Sequence, residues 1–496
     1  MRKRQFLLCL GLFAILFCSC NMEIGIGGSG GSGGVSNPTN VPPRKFWAQN
    51  FVTESYYQVN ANLLAESENC RVWAETESGV SVATATSMAK AYEDNILPKM
   101  LNTYGIRKPV SYEGKIIANN TMELADWLAD GDGKLCILLL DIKDGYQPGV
   151  NDMVTAGYFW GGNFIDMKNS NLCDMIYIDT NPGKPGTTDS NATFAHEMQH
   201  MMNFVTSALI RSTGNDLNLM DIWVDEGLSS SAEWLISGSH SEKRWAYYNQ
   251  DLSGLIKKGN NFFIWGNREK ENLYANLDDY ATVYLFFQWL RLQAGNNDIY
   301  YDIITSDNYD YNAVTNAANN YIAGKNYNDW GTLLKTWLAA NYINAPSGPY
   351  GYRNDGTLKN IRAKTMPSGT KSVSLAPGEG VYSITDNYSM PSGKQNIRYA
   401  GLNKADNALS DTATFSGGAL LTYNANTSTE GKTESGTTTG VASYEIADIE
   451  SGRSVAGINL SGPFVIGAGD VLRRNGFEGK LLFELSGLKK GMAVFE

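Results

Sequence analysis

Histidine, cysteine and charged residues are all scarce in this chain. Its 496 residues contain 3 His and 6 Cys, and Lys, Arg, Asp and Glu together make up 18% of the sequence. Only Cys70, Cys136 and Cys173 follow Cys20, so at most one disulfide can form beyond the N-terminus and a disulfide-stapled fold is excluded. Cys136 and Cys173 stand in apolar stretches. We predict that both are inert core thiols, with a disulfide as the alternative.

Long apolar runs are also missing, and basic residues are too few for an electropositive surface. The apolar run at the start covers only residues 6–17, whereas a membrane-spanning helix needs about 18 apolar residues or more, and no later segment approaches that length. Without Arg2, Lys3 and Arg4 the chain holds 37 basic and 51 acidic residues. An acidic chain is unsuited to nucleic acid or anionic membrane surfaces, so we expect no nucleic-acid partner.

The N-terminus has the three parts of an export signal. Basic residues at positions 2–4 precede the apolar run, and Ser19-Cys20 follows it, which predicts a signal peptide over residues 1–19. Leu16-Phe-Cys-Ser-Cys20 resembles the lipobox of bacterial lipoproteins, although Phe17 and Cys18 depart from its usual pattern. The resemblance implies a lipid on Cys20, a flexible linker over residues 20–45, and a chain held at a bacterial membrane or cell surface. A plain secretory signal cut near Ser19 is the alternative.

The order of apolar patterns favours an α+β fold in which a mixed sheet comes first and helices follow. Residues 46–80 alternate as strands do, residues 134–142 have the pattern of a central strand, and the glycines of residues 157–164 suggest an edge strand or a β-bulge. Apolar spacing predicts helices over residues 88–104, 192–209, 220–236, 279–290 and 328–342. Short strands and turn residues predict a separate all-β, sandwich-like domain over residues 346–496, after an α+β domain over residues 46–345.

Two of the three histidines fall in one short motif, His196-Glu-Met-Gln-His200. On a helix this spacing turns both imidazoles to one face, with Glu197 at its edge, which is the HExxH arrangement of zinc peptidases. A catalytic zinc usually has three protein ligands, so a third must come from elsewhere. His240 is the remaining histidine, and its polar surroundings predict a surface loop.

The carboxylate of Glu226 is the preferred third ligand. It stands in Trp223-Val-Asp-Glu-Gly-Leu-Ser229 on the next predicted helix, and two antiparallel helices would bring it against the imidazoles. Asp225 and Glu233 are the nearby alternatives.

These two helices together resemble those of the gluzincin zinc peptidases, and the sequence around His196 resembles that of the hyicolysin-type peptidase family. The resemblance implies that His196, His200 and Glu226 hold one zinc ion and that Glu197 is the general base. It departs from the thermolysin pattern at Ser230, where an Asp would be expected. Asp221 and Asp225 are therefore the candidates for orienting His196.

Peptide hydrolysis also needs a donor for the oxyanion that develops on the carbonyl. In similar peptidases a Tyr or His from a following helix serves, and Tyr280 and Tyr284 lie one turn apart on the third predicted helix after the sheet. With 27 tyrosines in the chain, packing is the alternative role for both.

We therefore expect an extracytoplasmic zinc endopeptidase that acts on protein or peptide substrates as a monomer anchored through Cys20. An aminopeptidase is less favoured, because no Gly-x-Met-Glu-Asn-like segment is present to hold a free amine. The alternative from a different class is a catalytically silent surface lipoprotein that binds a protein or glycan partner.

Overall fold

A computed structural model describes most of the chain beyond the N-terminal signal. The described residues are 34–107, 110–112, 115–117, 121–151, 153–207, 211, 218–259, 262–263, 275–324, 326–367, 373–384, 387–389, 396–412, 414–416, 418–427, 442–444, 464–465 and 492–494. The predicted signal peptide, Cys20 and most of the predicted linker lie outside them. Among the described helices, none combines the length and apolar character that crossing a membrane requires.

Strands that precede the His196 motif form the first layer of the fold. They are β1 (Arg44–Asn50), β2 (Ser55–Glu66), β3 (Cys70–Glu75), β4 (Val110–Tyr112), β5 (Lys115–Ile117), β6 (Leu135–Leu140), β7 (Met153–Val154), β8 (Gly157–Phe159) and β9 (Met175–Asp179). Six of them make one sheet in the order β1-β2-β3-β6-β9-β8. Strands β3, β6 and β9 are parallel, and the other neighbours are antiparallel. The predicted mixed sheet is confirmed.

Strand β6 lies at the centre of this sheet and is buried on both faces, as its nearly continuous apolar sequence predicts. Leu135, Ile137 and Leu139 pack in the core shared with the helices. Alternate residues, among them Cys136 and Leu138, pack in a second core on the opposite face. Cys70, Cys136 and Cys173 are all buried free thiols, which confirms the prediction of core thiols, and not a disulfide, for Cys136 and Cys173.

Helices form the second layer. They are α1 (Val82–Ala91), α2 (Leu97–Tyr104), α3 (Thr121–Leu128), α4 (Thr188–Thr206), α5 (Ile222–Ser237), α6 (Glu242–Gln250), α7 (Ala275–Ala294), α8 (Asp298–Ile304), α9 (Tyr311–Tyr321) and α10 (Trp330–Ile343). A π-helical segment, Tyr92–Ile96, joins α1 to α2. Each predicted helix exists, but α3, α6, α8 and α9 were not predicted from the apolar spacing.

Helix α4 begins earlier than its apolar pattern predicts. The side chain of Thr187 accepts a hydrogen bond from the backbone N–H of Ser190, so Thr187 is the N-cap. Asp189 and Ser190, which are also residue types that cap helices, lie inside the first turn. This start lengthens the helix on the N-terminal side of His196 by four residues, about one turn.

Close packing of α5 against α7 depends on a glycine. A Cβ on Gly227 would lie 2.3 Å from the ring of Phe287, a side chain that is itself fully buried. Trp223, one turn earlier on α5, packs edge-on against Phe262 with ring centroids 5.3 Å apart. Because Gly227 directly follows Glu226, the position of the Glu226 carboxylate is fixed by this aromatic core.

Strands reappear after α10. They are β10 (Val373–Leu375), β11 (Gly380–Ile384), β12 (Asn387–Ser389), β13 (Ile397–Asn403), β14 (Ala408–Ser410), β15 (Thr414–Ser416), β16 (Ala419–Asn424), β17 (Ala442–Tyr444), β18 (Phe464–Val465) and β19 (Met492–Val494). Four of them form an antiparallel sheet in the order β11-β16-β13-β14. The Tyr382 hydroxyl on β11 donates to the backbone oxygen of Leu338 on α10 at 2.8 Å. The sandwich-like arrangement and the domain boundary at residue 346 stay predictions.

Replacing Leu138 with alanine should destabilise the fold strongly. The Leu138 side chain is fully buried in the core on one face of β6, so its loss leaves a cavity that costs about 2–5 kcal/mol of unfolding free energy. Urea denaturation followed by tryptophan fluorescence measures this. Leu252→Ala, at a leucine that is 46% exposed, is the matched control and should change stability by less than about 0.5 kcal/mol. Equal effects of the two substitutions would contradict the assignment of β6 to the core.

Candidate active site

Helix α4 carries His196, Glu197 and His200 on its buried face. Their exposed fractions are 3%, 1% and 4%, and the imidazole rings of the two histidines meet edge to face with centroids 4.8 Å apart. The one-turn spacing produces this pairing, because residues four apart lie on the same side of a helix.

Glu226 reaches the same point from α5. Its Oε2 lies 3.3 Å from Nε2 of His196 and 3.7 Å from Nε2 of His200, and the Glu226 side chain is fully buried. The ligand atoms of the three side chains all lie within 4.8 Å of one another, so the structure brings together the three residues predicted to bind metal.

The donor set fits a zinc ion. Both Nε2 atoms are buried and lack a hydrogen bond of acceptable geometry, which is costly unless another partner is present. Tetrahedral ligands at zinc distances of about 2.0–2.1 Å lie about 3.3 Å apart, close to the separations found between Glu226 and the two imidazoles. Two imidazole nitrogens and one carboxylate oxygen are also the ligand set of a catalytic zinc with an open position.

Glu233 orients His196. Its Oε1 lies 2.8 Å from Nδ1 of His196 and accepts a hydrogen bond of 2.7 Å from Nη2 of Arg244. The expectation that Asp221 or Asp225 would hold His196 is wrong, since Nδ1 of His196 faces Glu233 and the Asp225 carboxylate contacts His200 instead. Glu233 follows Glu226 by seven residues, two helical turns, and that spacing was the available signal for its role.

Asp225 orients the other imidazole instead. Its Oδ2 lies 2.9 Å from Nδ1 of His200, and its Oδ1 accepts a hydrogen bond of 2.5 Å from the Asn203 amide. The Arg211 guanidinium in turn donates to Asn203 at 3.0 Å. Each imidazole therefore has its Nδ1 held by a carboxylate and its Nε2 aimed at Glu226, the arrangement that fixes the tautomer of a metal ligand.

Electrostatics within this cluster favour the charged forms of the two imidazoles and of Glu226 and Glu233. Burial by itself lowers the pKa of both imidazoles, but Glu226 and Glu233 raise the pKa of His196 to about 10, and Asp225 with Glu226 raises that of His200 to about 9. Burial opposes ionisation of Glu233, yet Arg244 and His196 lower its pKa to about 2. Without a metal, the carboxylates are thus neutralised by protonated imidazoles.

Glu197 lies between the helices and the edge of the sheet. Its Oε2 is buried without a hydrogen-bond partner, burial raises its pKa, and the backbone N–H of Phe159 on β8 donates to its carboxylate. A Cβ on Gly157 would lie 3.2 Å from Cγ of Glu197 and 2.9 Å from the carbonyl oxygen of Tyr177. A glycine at this place lets β8 lie directly against the proposed base.

Strand β8 ends the sheet, so the predicted edge strand is confirmed for residues 157–159. The rest of the predicted strand is wrong, because Gly161–Phe164 forms a 3₁₀ turn. A Cβ on Gly161 would meet the Phe204 ring at 2.6 Å, and the turn packs closely against α4 there.

The two candidate tyrosines of α7 have different neighbours. The Tyr280 hydroxyl donates to Oε1 of Glu226 at 3.2 Å, and the Arg244 guanidinium lies 4.7 Å above the Tyr280 ring. The Tyr284 hydroxyl lies 2.6 Å from Nδ1 of His240. Of the pair, only Tyr280 is seen to contact a predicted metal ligand.

His240 is not a surface residue, which corrects the expectation from its polar surroundings. Its side chain is 5% exposed, stacks on Trp234 with centroids 6.1 Å apart, and directs Nε2 to the carboxylate of Asp355 at 3.3 Å. The sequence near His240 gives no sign of this, because Tyr284 and Asp355 are distant in the chain.

Glu233→Gln should weaken metal binding by about 10–100-fold, because it removes the charge that fixes the His196 tautomer and its basicity. Competition with a chromophoric zinc chelator measures the affinity. Glu242→Gln, at an exposed position on α6, is the matched control and should bind as the native protein does. An affinity of the Glu233 variant within twofold of native would contradict the role given to Glu233.

Zinc binding at pH 7 should release protons. The raised pKa values keep His196 and His200 protonated in the metal-free protein, and metal requires them neutral. Their ionisation stabilises the metal-free fold below about pH 6.5, and this contribution is lost as the pH rises through 9–10. Calorimetric titrations in two buffers with different ionisation enthalpies count the protons. The number should fall as the pH rises through 9–10, and heats that do not depend on the buffer at pH 7 would disprove the electrostatic account.

The chain is similar in sequence to a known metalloprotease. The chain is 26% identical over 369 residues to the neutral metalloprotease ShpI of Staphylococcus hyicus, an alignment that covers 73% of this chain and 76% of that protein. No protein-family model matches the chain. Similarity to a neutral metalloprotease, together with the possible metal site at His196, His200 and Glu226, supports a hydrolase of the metallopeptidase type.

Proposed function

We propose that the protein is a zinc-dependent endopeptidase that hydrolyses peptide bonds of protein or peptide substrates outside the cytoplasm. The observation that carries this proposal is the convergence of the two Nε2 atoms and Glu226 Oε2 beside the unpartnered Oε2 of Glu197. A site for metal and a buried carboxylate next to it are the two parts that metal-assisted hydrolysis needs.

Each residue of the cluster has a part in this chemistry. A zinc ion held by His196, His200 and Glu226 supplies a Lewis acid and lowers the pKa of water to about 7. Glu197 takes the proton of the attacking water on its free oxygen and returns it to the leaving amine. Burial raises the pKa of Glu197 and so favours its holding the proton between these steps.

The Tyr280 hydroxyl is the better supported of the two proposed oxyanion donors. The Tyr280 hydroxyl donates a hydrogen bond to Oε1 of the proposed ligand Glu226 at 3.2 Å. It therefore lies close enough to the proposed metal site to donate to the carbonyl oxygen of a bound substrate. Tyr284 is held by His240, so its effect on the reaction would be to position α7 and its neighbours.

Substrate binding is proposed at the edge of β8. This strand pairs with β9 on one side, and an extended peptide added along its other side would lie next to Glu197. Binding of an extended backbone suits cleavage within a chain, which is why an endopeptidase is preferred. Export, anchoring through a lipid on Cys20 and action as a monomer are proposals from the sequence alone.

Glu197→Gln should abolish most of the activity while leaving the metal in place. Loss of the general base is expected to lower cleavage of an unfolded protein substrate by at least about a hundredfold, because the amide cannot accept the proton. Purified native protein, Glu197→Gln and the control Glu77→Gln, at an exposed turn, are compared at equal zinc content. Mass spectrometry of the products shows whether internal bonds are cut.

Each outcome of this experiment distinguishes between possible functions of the protein. Equal cleavage by native protein and Glu197→Gln would refute the role of Glu197. Release of single N-terminal residues would replace the endopeptidase with an aminopeptidase. Zinc binding without any cleavage by native protein would favour the silent lipoprotein that binds a protein or glycan partner.

A further inference from the structure

Arg244 brings a positive charge from α6 into the space between α5 and α7. It lies in the first turn of α6, a helix that packs against α7, and it is 4% exposed. An arginine side chain does not lose its proton in a folded protein. Such a charge is buried only where other groups compensate it, so the neighbours of Arg244 indicate what it does.

Two side chains contact the Arg244 guanidinium. Its Nη2 donates a hydrogen bond of 2.7 Å to Oε1 of Glu233, and its Cζ lies over the Tyr280 ring, 4.7 Å from the ring centroid. The buried Nε of Arg244 makes no hydrogen bond with the described residues. The edge of the guanidinium is therefore held by Glu233, and its face lies on Tyr280.

Both neighbours of Arg244 lead to the proposed metal site. The same Oε1 of Glu233 lies 2.8 Å from Nδ1 of His196, whose Nε2 lies 3.3 Å from Oε2 of Glu226. The Tyr280 hydroxyl donates to the other oxygen of Glu226 at 3.2 Å. These contacts form a closed ring that starts and ends at Arg244. Its five members come from four helices, α4, α5, α6 and α7, so the ring joins all four at the site.

Arg244 is most important to Glu233 when a metal is bound. An imidazole that binds metal is neutral, so His196 then offers Glu233 a hydrogen bond but no charge. The Glu233 side chain is 14% exposed, and a carboxylate with so little access to water needs a positive partner. Arg244 supplies that charge. Without it, the Glu233 carboxylate is better stabilised by turning towards solvent, which releases Nδ1 of His196.

An arginine suits both contacts, whereas a lysine suits only one. The planar guanidinium donates hydrogen bonds along its edge while its face lies on an aromatic ring. A lysine at position 244 would keep a positive charge near Glu233, but an ammonium group has no flat face to pack on Tyr280. Substitution can therefore separate the two contacts.

We propose that Arg244 is a positioning residue for both the metal and the oxyanion donor. Through Glu233 it holds the His196 imidazole towards the metal. Through the face of its guanidinium it holds the Tyr280 ring and so places the hydroxyl. The second part rests on the proposed function, because a tyrosine hydroxyl affects turnover only if the site hydrolyses a bond. The first part concerns metal affinity and does not depend on catalysis.

Zinc affinity tests the first part. Competition with a chromophoric chelator is measured for native protein, Arg244→Gln and Arg244→Lys. Arg244→Gln should weaken zinc binding at least about tenfold, because the residue that holds a ligand's partner is lost. Arg244→Lys should bind zinc within about threefold of native protein, because its charge still faces Glu233. Native-like affinity in Arg244→Gln, or equal losses in both variants, would overturn this part.

Turnover of fluorescently labelled casein tests the second part. At saturating zinc, Arg244→Lys should lower kcat about tenfold or more and leave KM nearly unchanged, because an oxyanion donor acts in the transition state. In Tyr280→Phe, which already lacks the hydroxyl, the same substitution should lower kcat less than about twofold. Equal losses in the two backgrounds, or a native kcat in Arg244→Lys, would overturn the role given to the Tyr280 contact.

Arg107→Lys is the matched control. Arg107 makes the same two kinds of contact, an ion pair of 3.2 Å with Asp298 and a guanidinium 4.1 Å from the centroid of the Tyr301 ring, but its side chain is 40% exposed. This variant should match native protein in zinc affinity and kcat. A loss equal to that of Arg244→Lys would contradict a special role for position 244.

Two further outcomes are distinguished by the same measurements. Circular dichroism shows whether each variant is folded, and Arg244→Lys keeps the buried charge, so the turnover test stands even if Arg244→Gln does not fold. Zinc binding without cleavage by native protein would refute the proposed function and the Tyr280 part of this proposal. The zinc affinities would still decide the part that concerns His196.

Discussion

Charges buried between two helices hold the proposed active site together. Three carboxylates lie around the imidazoles of His196 and His200: Glu226 is fully buried, and Asp225 and Glu233 are partly buried, so little water reaches them. Buried carboxylates are stable only if cations or hydrogen-bond donors face them. Protonated imidazoles meet this need in the metal-free protein, and a divalent ion would meet it once the protons leave. The same arrangement of side chains can therefore compensate the buried carboxylates with protons or with a bound metal ion.

Packing around the helices sets how accurately these groups meet. Gly227 lets α5 approach the Phe287 ring, and Gly157 lets β8 approach Glu197, so two close contacts without a Cβ fix the cluster from opposite sides. The central strand β6 is buried on both faces, and one of its faces packs in the same core as these helices. A site placed on helices and a sheet edge is held more rigidly than one placed on loops.

Local spacing allowed part of this site to be predicted from the sequence. The pairing of His196 with His200 follows from one helical turn, and Glu226 was found because its helix carries a recognisable motif. The role of Glu233 and the burial of His240 were missed, since Arg244, Tyr284 and Asp355 come from other elements. Likewise, the nearly continuous apolar run that predicted β6 is a local signal, whereas the end of β8 at Phe159 depends on packing of the next turn against Phe204.

Strand β8 and the proposed base Glu197 are joined by two direct contacts. The Phe159 amide is bonded to the Glu197 carboxylate, and the Gly157 backbone lies against the Glu197 stem. These two contacts tie the position of the Glu197 carboxylate to that of the strand edge. A peptide paired along that edge would therefore lie at a fixed distance from Glu197. The register in which the peptide pairs with the strand would then decide which of its bonds faces Glu197.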